Sequence, residues 1–154
     1  MVRNNTFRSC LDVTTSEDKN IMTVRVSVSE NLTYRVILVY GPQENEPFET
    51  RENFMTEVSV EVQNCKDNCE TPIIIGDFNA KVEKKENELV PLTSNGLLLC
   101  EMVKEQEMKI MNFSEKCEAK WTHEIRTTGM KSCLDYIISS TPFDRESNNN
   151  KEYR

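Results

Sequence analysis

A chain of 154 residues is long enough for one domain with a real core, since a domain near that size buries about two-thirds of its unfolded surface. An apolar fraction of 37% beside a charged fraction of 29% leaves no run near the roughly 18 apolar residues of a membrane span, so membrane insertion is set aside. The net charge of −7 and pI near 4.9 count against a broad basic footprint for nucleic acid, although a site that gathers divalent cations also wants negative charge.

The opening MVRNNTFRSC has no apolar h-region and no small-residue cleavage site, which points to an intracellular, reducing compartment, nuclear or cytoplasmic. The scattered cysteines (Cys10, Cys65, Cys69, Cys100, Cys117, Cys133) are then read as free thiols rather than a disulfide framework. The spacing of Cys65 and Cys69 could suit zinc, but no matching second pair follows, and His123 is the only histidine. The sequons at Asn4, Asn31 and Asn112 carry no weight outside a secretory pathway.

Residues 1 to 19 show no sustained period and read as an irregular or edge segment. From Ile21 to Val28, Met22, Val24, Val26 and Val28 alternate with Thr23, Arg25 and Ser27, the period of a half-buried strand. Ser29, Glu30 and Asn31 supply a turn, and Leu32 to Tyr40 alternates again, which completes a β-hairpin. Gly41-Pro42 stops it, and the period then changes: Phe54, Val58 and Val62, with Met55 beside them, make one stripe of a helix over Phe48 to Val62.

Pro72 to Val82 (PIIIGDFNAKV) carries the chemistry. Ile73, Ile74 and Ile75 predict a strand buried on both faces, ended by Gly76, with Asp77 and Asn79 at its carboxyl end, where open α/β sheets hold their ligands. Lys81 to Glu88 reads as a charged loop. Thr93 or Ser94 caps a second helix that opens around Asn95-Gly96, carries Leu98, Leu99, Met102 and Val103, and ends near Glu107. Short strands are predicted at Lys109 to Phe113, Ala119 to Thr122 and, most clearly, Leu134 to Ser139. Residues 1–143 form one mixed α/β domain, and the polar stretch 144–154 reads as a disordered tail.

Singly, the candidate site residues have bland readings: Tyr40 as a packed strand end, Asp77 as a turn former, Asp135 as a buried acid satisfied by backbone donors. In order, VYGP at 39–42, IIGDFNA at 74–80, the helix opening at Asn95-Gly96, Trp121-Thr122, and SCLDYI at 132–137 resemble the endonuclease/exonuclease/phosphatase superfamily. The likeness is greatest to the endonuclease domains of non-LTR (LINE-type) retrotransposons and the craniofacial development protein group, and runs from about Ile21 to Ser140.

The resemblance implies a four-layer α/β sandwich, incomplete here, that hydrolyses phosphodiesters in DNA with Mg2+. It makes Asp77 the acid that orients or deprotonates the attacking water. Asn79 becomes its partner in holding the scissile phosphate or the metal, so that Asp77 and Asn79 are the metal ligands on offer. Tyr40 becomes a hydroxyl on the phosphate, and Asp135 the acid that fixes a catalytic histidine. Two family elements have no counterpart here: the metal-binding glutamate, whose motif would precede Met1, and the histidine of a Ser-Asp-His motif after the LDYI strand. Gln43 stands where many relatives have asparagine, and His123 precedes Asp135 and so is not that histidine.

The expectation is a catalytically impaired fragment that binds DNA weakly, as its pI implies. The alternative is a non-catalytic protein-interaction module on the same sandwich, with a protein partner. A lipid or inositol-phosphate phosphatase is third, and only Lys116, Arg126 and Lys131 would serve it.

Overall fold

The hairpin forms where the period-two pattern places it. In a computed structural model that describes residues 10–15, 20–86, 88–114, 117 and 121–140, strand β2 (Ile21–Ser29) pairs antiparallel with β3 (Leu32–Tyr40) around a bulge at Ser27 to Ser29. β1 (Cys10–Thr15) lies on the outer edge of β2, so the edge reading holds for the described part of that segment. A helix, α1 (Phe48–Asp67), then carries the chain back so that β4 (Thr71–Asp77) runs parallel to β3.

β5 (Val82–Lys85) and β6 (Glu88–Pro91) form a separate two-stranded ribbon before the second helix, α2 (Ser94–Glu105). β7 (Lys109–Ile110), a 3-10 turn over Met111–Phe113, and a second ribbon of β8 (His123–Ile125) with β9 (Met130–Ser132) lead to β10 (Asp135–Ser139). The main sheet has the order β1-β2-β3-β4-β10-β7, parallel only between β3 and β4.

Both helices cover one face of that sheet. The expected stripe of α1 is there: Phe54, Met55, Val58 and Val62 are buried, against Ile37 on β3 and Ile74 on β4. Phe78 sits at the centre of this core, edge-on to Phe54 at 6.3 Å and to Tyr136 at 6.1 Å between ring centroids. Thr93 caps α2 as predicted, its hydroxyl accepting from the amide of Gly96 at 3.1 Å.

The other face is where the sequence reading fails. The alternating apolar set of β2 and β3 does not line the helix-covered core, which takes Ile21, Thr23, Ile37 and Val39 instead. Met22 and Leu38 are exposed on the opposite face, Ile75 and Ile137 share their rung through the strand register, and Ile73 lies two residues before Ile75 on the same face, beside Val36. β4 is therefore not buried on both faces: Ile74 is inaccessible, while Ile73 and Ile75 are only half-buried because no described layer covers that side. Of the four expected layers, the described residues build one sheet and the helix layer on it, an α/β half-sandwich.

Smaller differences have local causes. The predicted charged loop at 81–88 contains a ribbon, because Val82 is buried and Glu83 reaches Lys85 at 2.7 Å along the exposed edge. The segment from Lys109 is extended only through Ile110, and the chain then turns at Met111. The strand predicted from Ala119 starts at His123; Ala119 and Lys120, like the tail after 140, lie outside the described residues.

Candidate active site

Three strands end at one place. In the register, Tyr40 on β3 faces Asp77 on β4, and Asp77 faces Asp135 on β10, so all three candidates occupy one rung on the open face of the sheet. Neighbouring positions across paired strands stand about 5 Å apart, which is within reach of a single small ligand. Tyr40 and Asp135 are exposed and Asp77 is half-buried, so the rung opens to solvent.

Glycine lets the backbone come this close. A Cβ on Gly76 (φ +154°) would strike the carbonyl oxygen of Val39, and one on Gly41 would stand 2.8 Å from the carbonyl oxygen of Phe78. The amide of Gly41 donates to the carbonyl of Asp77 at 2.7 Å, and the amide of Phe78 to the carbonyl of Leu134 at 2.9 Å. With the Phe78 ring fixed in the core, the loop after β4 is held from below and from both sides.

Asn79 completes the site just beyond the rung. It has a left-handed backbone (φ +47°), which asparagine tolerates better than most residues and which recurs at functional sites. Its amide donates to Oδ1 of Asp77 at 2.8 Å, and its Nδ2 donates to the carbonyl of Gly41 at 2.8 Å. Oδ1 of Asn79 and Oδ2 of Asp77 then have no partner among the described residues.

Two residues quoted in the sequence without a role position Asp135. The hydroxyl of Thr122 accepts from the amides of Leu134 at 3.0 Å and Asp135 at 3.2 Å. Asn112 stands in for a strand: its Nδ2 donates to the carbonyl of Asp135 at 3.0 Å and its Oδ1 accepts from the amide of Ile137 at 2.8 Å. Trp121-Thr122 was a visible signal, while Asn112 showed only as a chance sequon.

Behind the rung, the Tyr136 hydroxyl accepts from the amide of Val82 at 3.2 Å and lies 3.0 Å from the carbonyl of Ala80. Burial pushes its phenol above the usual range, and pushes the Cys133 thiol up as well, so both stay neutral packing groups near neutral pH. His123 is exposed on β8, paired with Ser132, and is not a member of the rung. Lys131 lies over the Trp121 ring at 4.3 Å, Arg126 is exposed, and Lys116 lies outside the described residues.

Two anionic or amide oxygens beside an open carboxylate suit a hard divalent cation of the magnesium type, which takes few protein ligands and keeps its waters. Asp77 and Asn79 supply those oxygens. Among the described residues, no group of three or more His, Cys, Asp or Glu side chains could form a closed metal cage.

Comparison with solved structures supports this architecture. A 3'-5' exonuclease (NExo) from Neisseria meningitidis superposes with a TM-score of 0.63 at 17% identity, over 85% of this chain and 59% of the exonuclease. The endonuclease domain of TRAS1, a telomere-specific non-LTR retrotransposon, matches with a TM-score of 0.53 at 18% identity, over 84% and 56% respectively. An endonuclease/exonuclease/phosphatase family protein from Leptotrichia buccalis matches at 0.54 and 20%, over 79% and 42%. The chain thus spans less than two-thirds of each of these proteins. No curated protein matches it in sequence. The sequence pattern of the endonuclease-reverse transcriptase family, however, matches residues 34–154, a stretch that includes Tyr40, Asp77, Asn79 and Asp135. By that match and by its fold, the chain belongs to the endonuclease-reverse transcriptase family of the endonuclease/exonuclease/phosphatase superfamily.

Proposed function

We propose that this chain is part of a metal-dependent DNA phosphodiesterase domain of retrotransposon type, and that alone it is catalytically impaired. The observation that carries the reading is the shared rung of Tyr40, Asp77 and Asp135, with Asn79 beside it, open to solvent at the end of three strands. The DNA substrate is proposed by analogy with relatives, one of which is described as bound to a product DNA hairpin.

In this reading the Asp77 carboxylate holds and deprotonates the attacking water, while the amide of Asn79, donating to Oδ1, keeps the carboxyl plane fixed. Oδ2 of Asp77 and Oδ1 of Asn79 would hold Mg2+, which when bound supplies positive charge to the phosphate oxygens as the transition state forms. The Tyr40 hydroxyl donates to a phosphate oxygen. Asp135 is the orienting acid of a histidine, and the only histidine of this chain, His123, pairs with Ser132 on the β8–β9 ribbon rather than joining the rung.

General acid-base help from such a histidine is worth about 10²–10⁴-fold in rate, which is the basis for expecting impairment. The test is conversion of supercoiled plasmid to nicked circle with Mg2+. No nicking above background is expected from the purified chain. Nicking that Asp77→Ala abolishes would overturn the impairment and keep the phosphodiesterase; nicking unchanged by Asp77→Ala would overturn the assignment of the site.

A further inference from the structure

We infer that Asn95 is a positioning residue for the candidate site: it sets the Gly41-Pro42 loop and the Asn79 loop at a fixed distance from one another. The inference deepens the function proposed above and rests on it for the metal-binding half of the test.

Asn95 is 1% exposed at the start of α2, and every polar atom of its side chain is used. Nδ2 donates to the carbonyl of Pro42 at 3.0 Å and to the carbonyl of Asn79 at 3.1 Å. Oδ1 accepts from Nη1 of Arg51 at 3.1 Å. A primary amide has two donors and one oxygen in one small plane. No other side chain of that size can satisfy two carbonyls and a guanidinium together.

The node is itself anchored. Arg51 on α1 is 9% exposed, and its Nε donates to the carbonyl of Glu46 at 3.1 Å. Glu44 closes the ring: its carboxylate accepts from the amides of Ser94 at 2.7 Å and Asn95 at 3.1 Å, and it faces Nη1 of Arg51 at 3.4 Å. A carboxylate on the first amides of a helix also complements the helix dipole. Four segments are thus cross-braced: the loop after β3, the loop after β4, the first turn of α2, and α1.

The consequence for the site is direct. The Asn79 backbone carbonyl is pinned by Asn95, and the Asn79 side chain is pinned to Gly41, whose neighbour Pro42 is pinned by the same Asn95 amide. The left-handed backbone of Asn79 is costly and persists only where its surroundings over-determine it. Removing the Asn95 amide frees one corner of that frame, so Oδ1 of Asn79 is no longer held in register with Oδ2 of Asp77.

The test compares Asn95→Ser, which retains a hydroxyl in the site, with Val62→Ala, a core truncation at an inaccessible residue about three turns along α1 from Arg51. Both lower the urea midpoint of the full chain. In 15N-labelled protein, Asn95→Ser should shift and broaden the amide signals of Gly41 and Asn79 and move the Asn79 side-chain NH2 signals toward the unfolded position, and Val62→Ala should not. Titrated with Mn2+ alone, wild type and Val62→Ala should show the same paramagnetic broadening at Asp77 and Asn79. Asn95→Ser should need about tenfold more Mn2+, the usual scale for groups that orient a ligand.

Loop signals and Mn2+ midpoints in Asn95→Ser equal to those of Val62→Ala would reduce Asn95 to a structural residue and overturn the inference. Absence of broadening in the wild type would overturn the metal site, and the loop signals would then decide the positioning role by themselves.

Discussion

The same strand has a carboxylate at each end, and the two are treated in opposite ways. Glu70, just before β4, is buried and sits between Arg25 Nε and Arg35 Nε at 2.6 Å each, with Arg35 also 3.8 Å from Glu61. Asp77, the last residue of β4, faces Asp135 across one pair of strands and Tyr40 across the other, and neither aspartate makes an ion pair with a described residue. A buried acid is tolerable when opposite charge compensates its lost hydration, whereas two acids set opposite each other lower stability. The difference separates a carboxylate that holds the sheet together from carboxylates kept free for something that arrives from outside.

The largest expected effect is at the paired end. Glu70→Gln keeps shape and removes charge, leaving Arg35, whose side chain is 16% exposed, without its main counter-charge. Breaking a buried pair on one side should cost about 3 kcal/mol of unfolding free energy, read by urea titration. The side chain of Arg25 is 40% exposed and contributes little of this. A loss below about 1 kcal/mol would place Glu70 among ordinary surface pairs and dissolve the contrast.

The paired end also predicts a pH dependence of intermediate size. The Cys65 thiol lies under this cluster, donating to the carbonyl of Glu61 at 3.0 Å, and its backbone carbonyl accepts from the amide of Glu70 at 2.9 Å. Burial pushes this thiol up from 9.0 to about 11, with Arg35 opposing and Glu70 adding to the rise. In the unfolded chain the thiol ionises near 9.0, so the folded state binds the proton more tightly, and stability is fully present below that pH. It should fall as pH rises from 9.0 through about 11. Burial raises the Tyr136 phenol too, so its contribution has the same sign at higher pH. The urea midpoint measured from pH 8 to pH 11 should fall in the wild type and fall less steeply in Cys65→Ala. Equal slopes would remove Cys65 from the account.

The contrast between the two ends was only half legible in the sequence. The site end could be read because GDFNA, Tyr40-Gly41-Pro42 and LDYI combine residue chemistry with strand ends, and the register then put them on one rung. The Glu70 cluster could not be read, because its members come from β2, β3 and the α1–β4 turn, and only pairing of those strands brings Arg25 and Arg35 to one acid. Asn95 was visible as a helix start, yet its hydrogen bonds reach Pro42, Arg51 and Asn79, contacts that no local period encodes.

The elements themselves were legible where one face is buried, as on α1 with Phe54, Val58 and Val62. The faces of β2 and β3 were not, because the more apolar face (Met22, Val24, Val26, Val28; Leu32, Val36, Leu38) is the one turned away from the helices, while the helix side mixes Ile21, Ile37 and Val39 with Thr23, Arg25 and Arg35. Alternation then marks a strand without saying which side meets the helices, and Met22 and Leu38 turn out exposed while Ile37 is inaccessible.

The smallest expected effect is the most discriminating, because it reverses the sign. Asp77→Asn keeps an Oδ1 that can accept from the Asn79 amide, so the turn survives, but it removes one of two charges that face each other across β4 and β10. In buffer with chelator, the variant should therefore be more stable than wild type, by about 0.2–1 kcal/mol, the scale of an exposed cross-strand charge pair. Acid-to-amide exchange at Glu70 destabilises and at Asp77 stabilises, although both acids flank the same strand. With Mn2+ added, the order should invert, since an ion bound at Asp77 and Asn79 stabilises the wild type by mass action and has lost a ligand in the variant. A variant less stable than wild type in chelator would mean that Asp77 serves the fold as Glu70 does, and the rung would lose its claim to be a site.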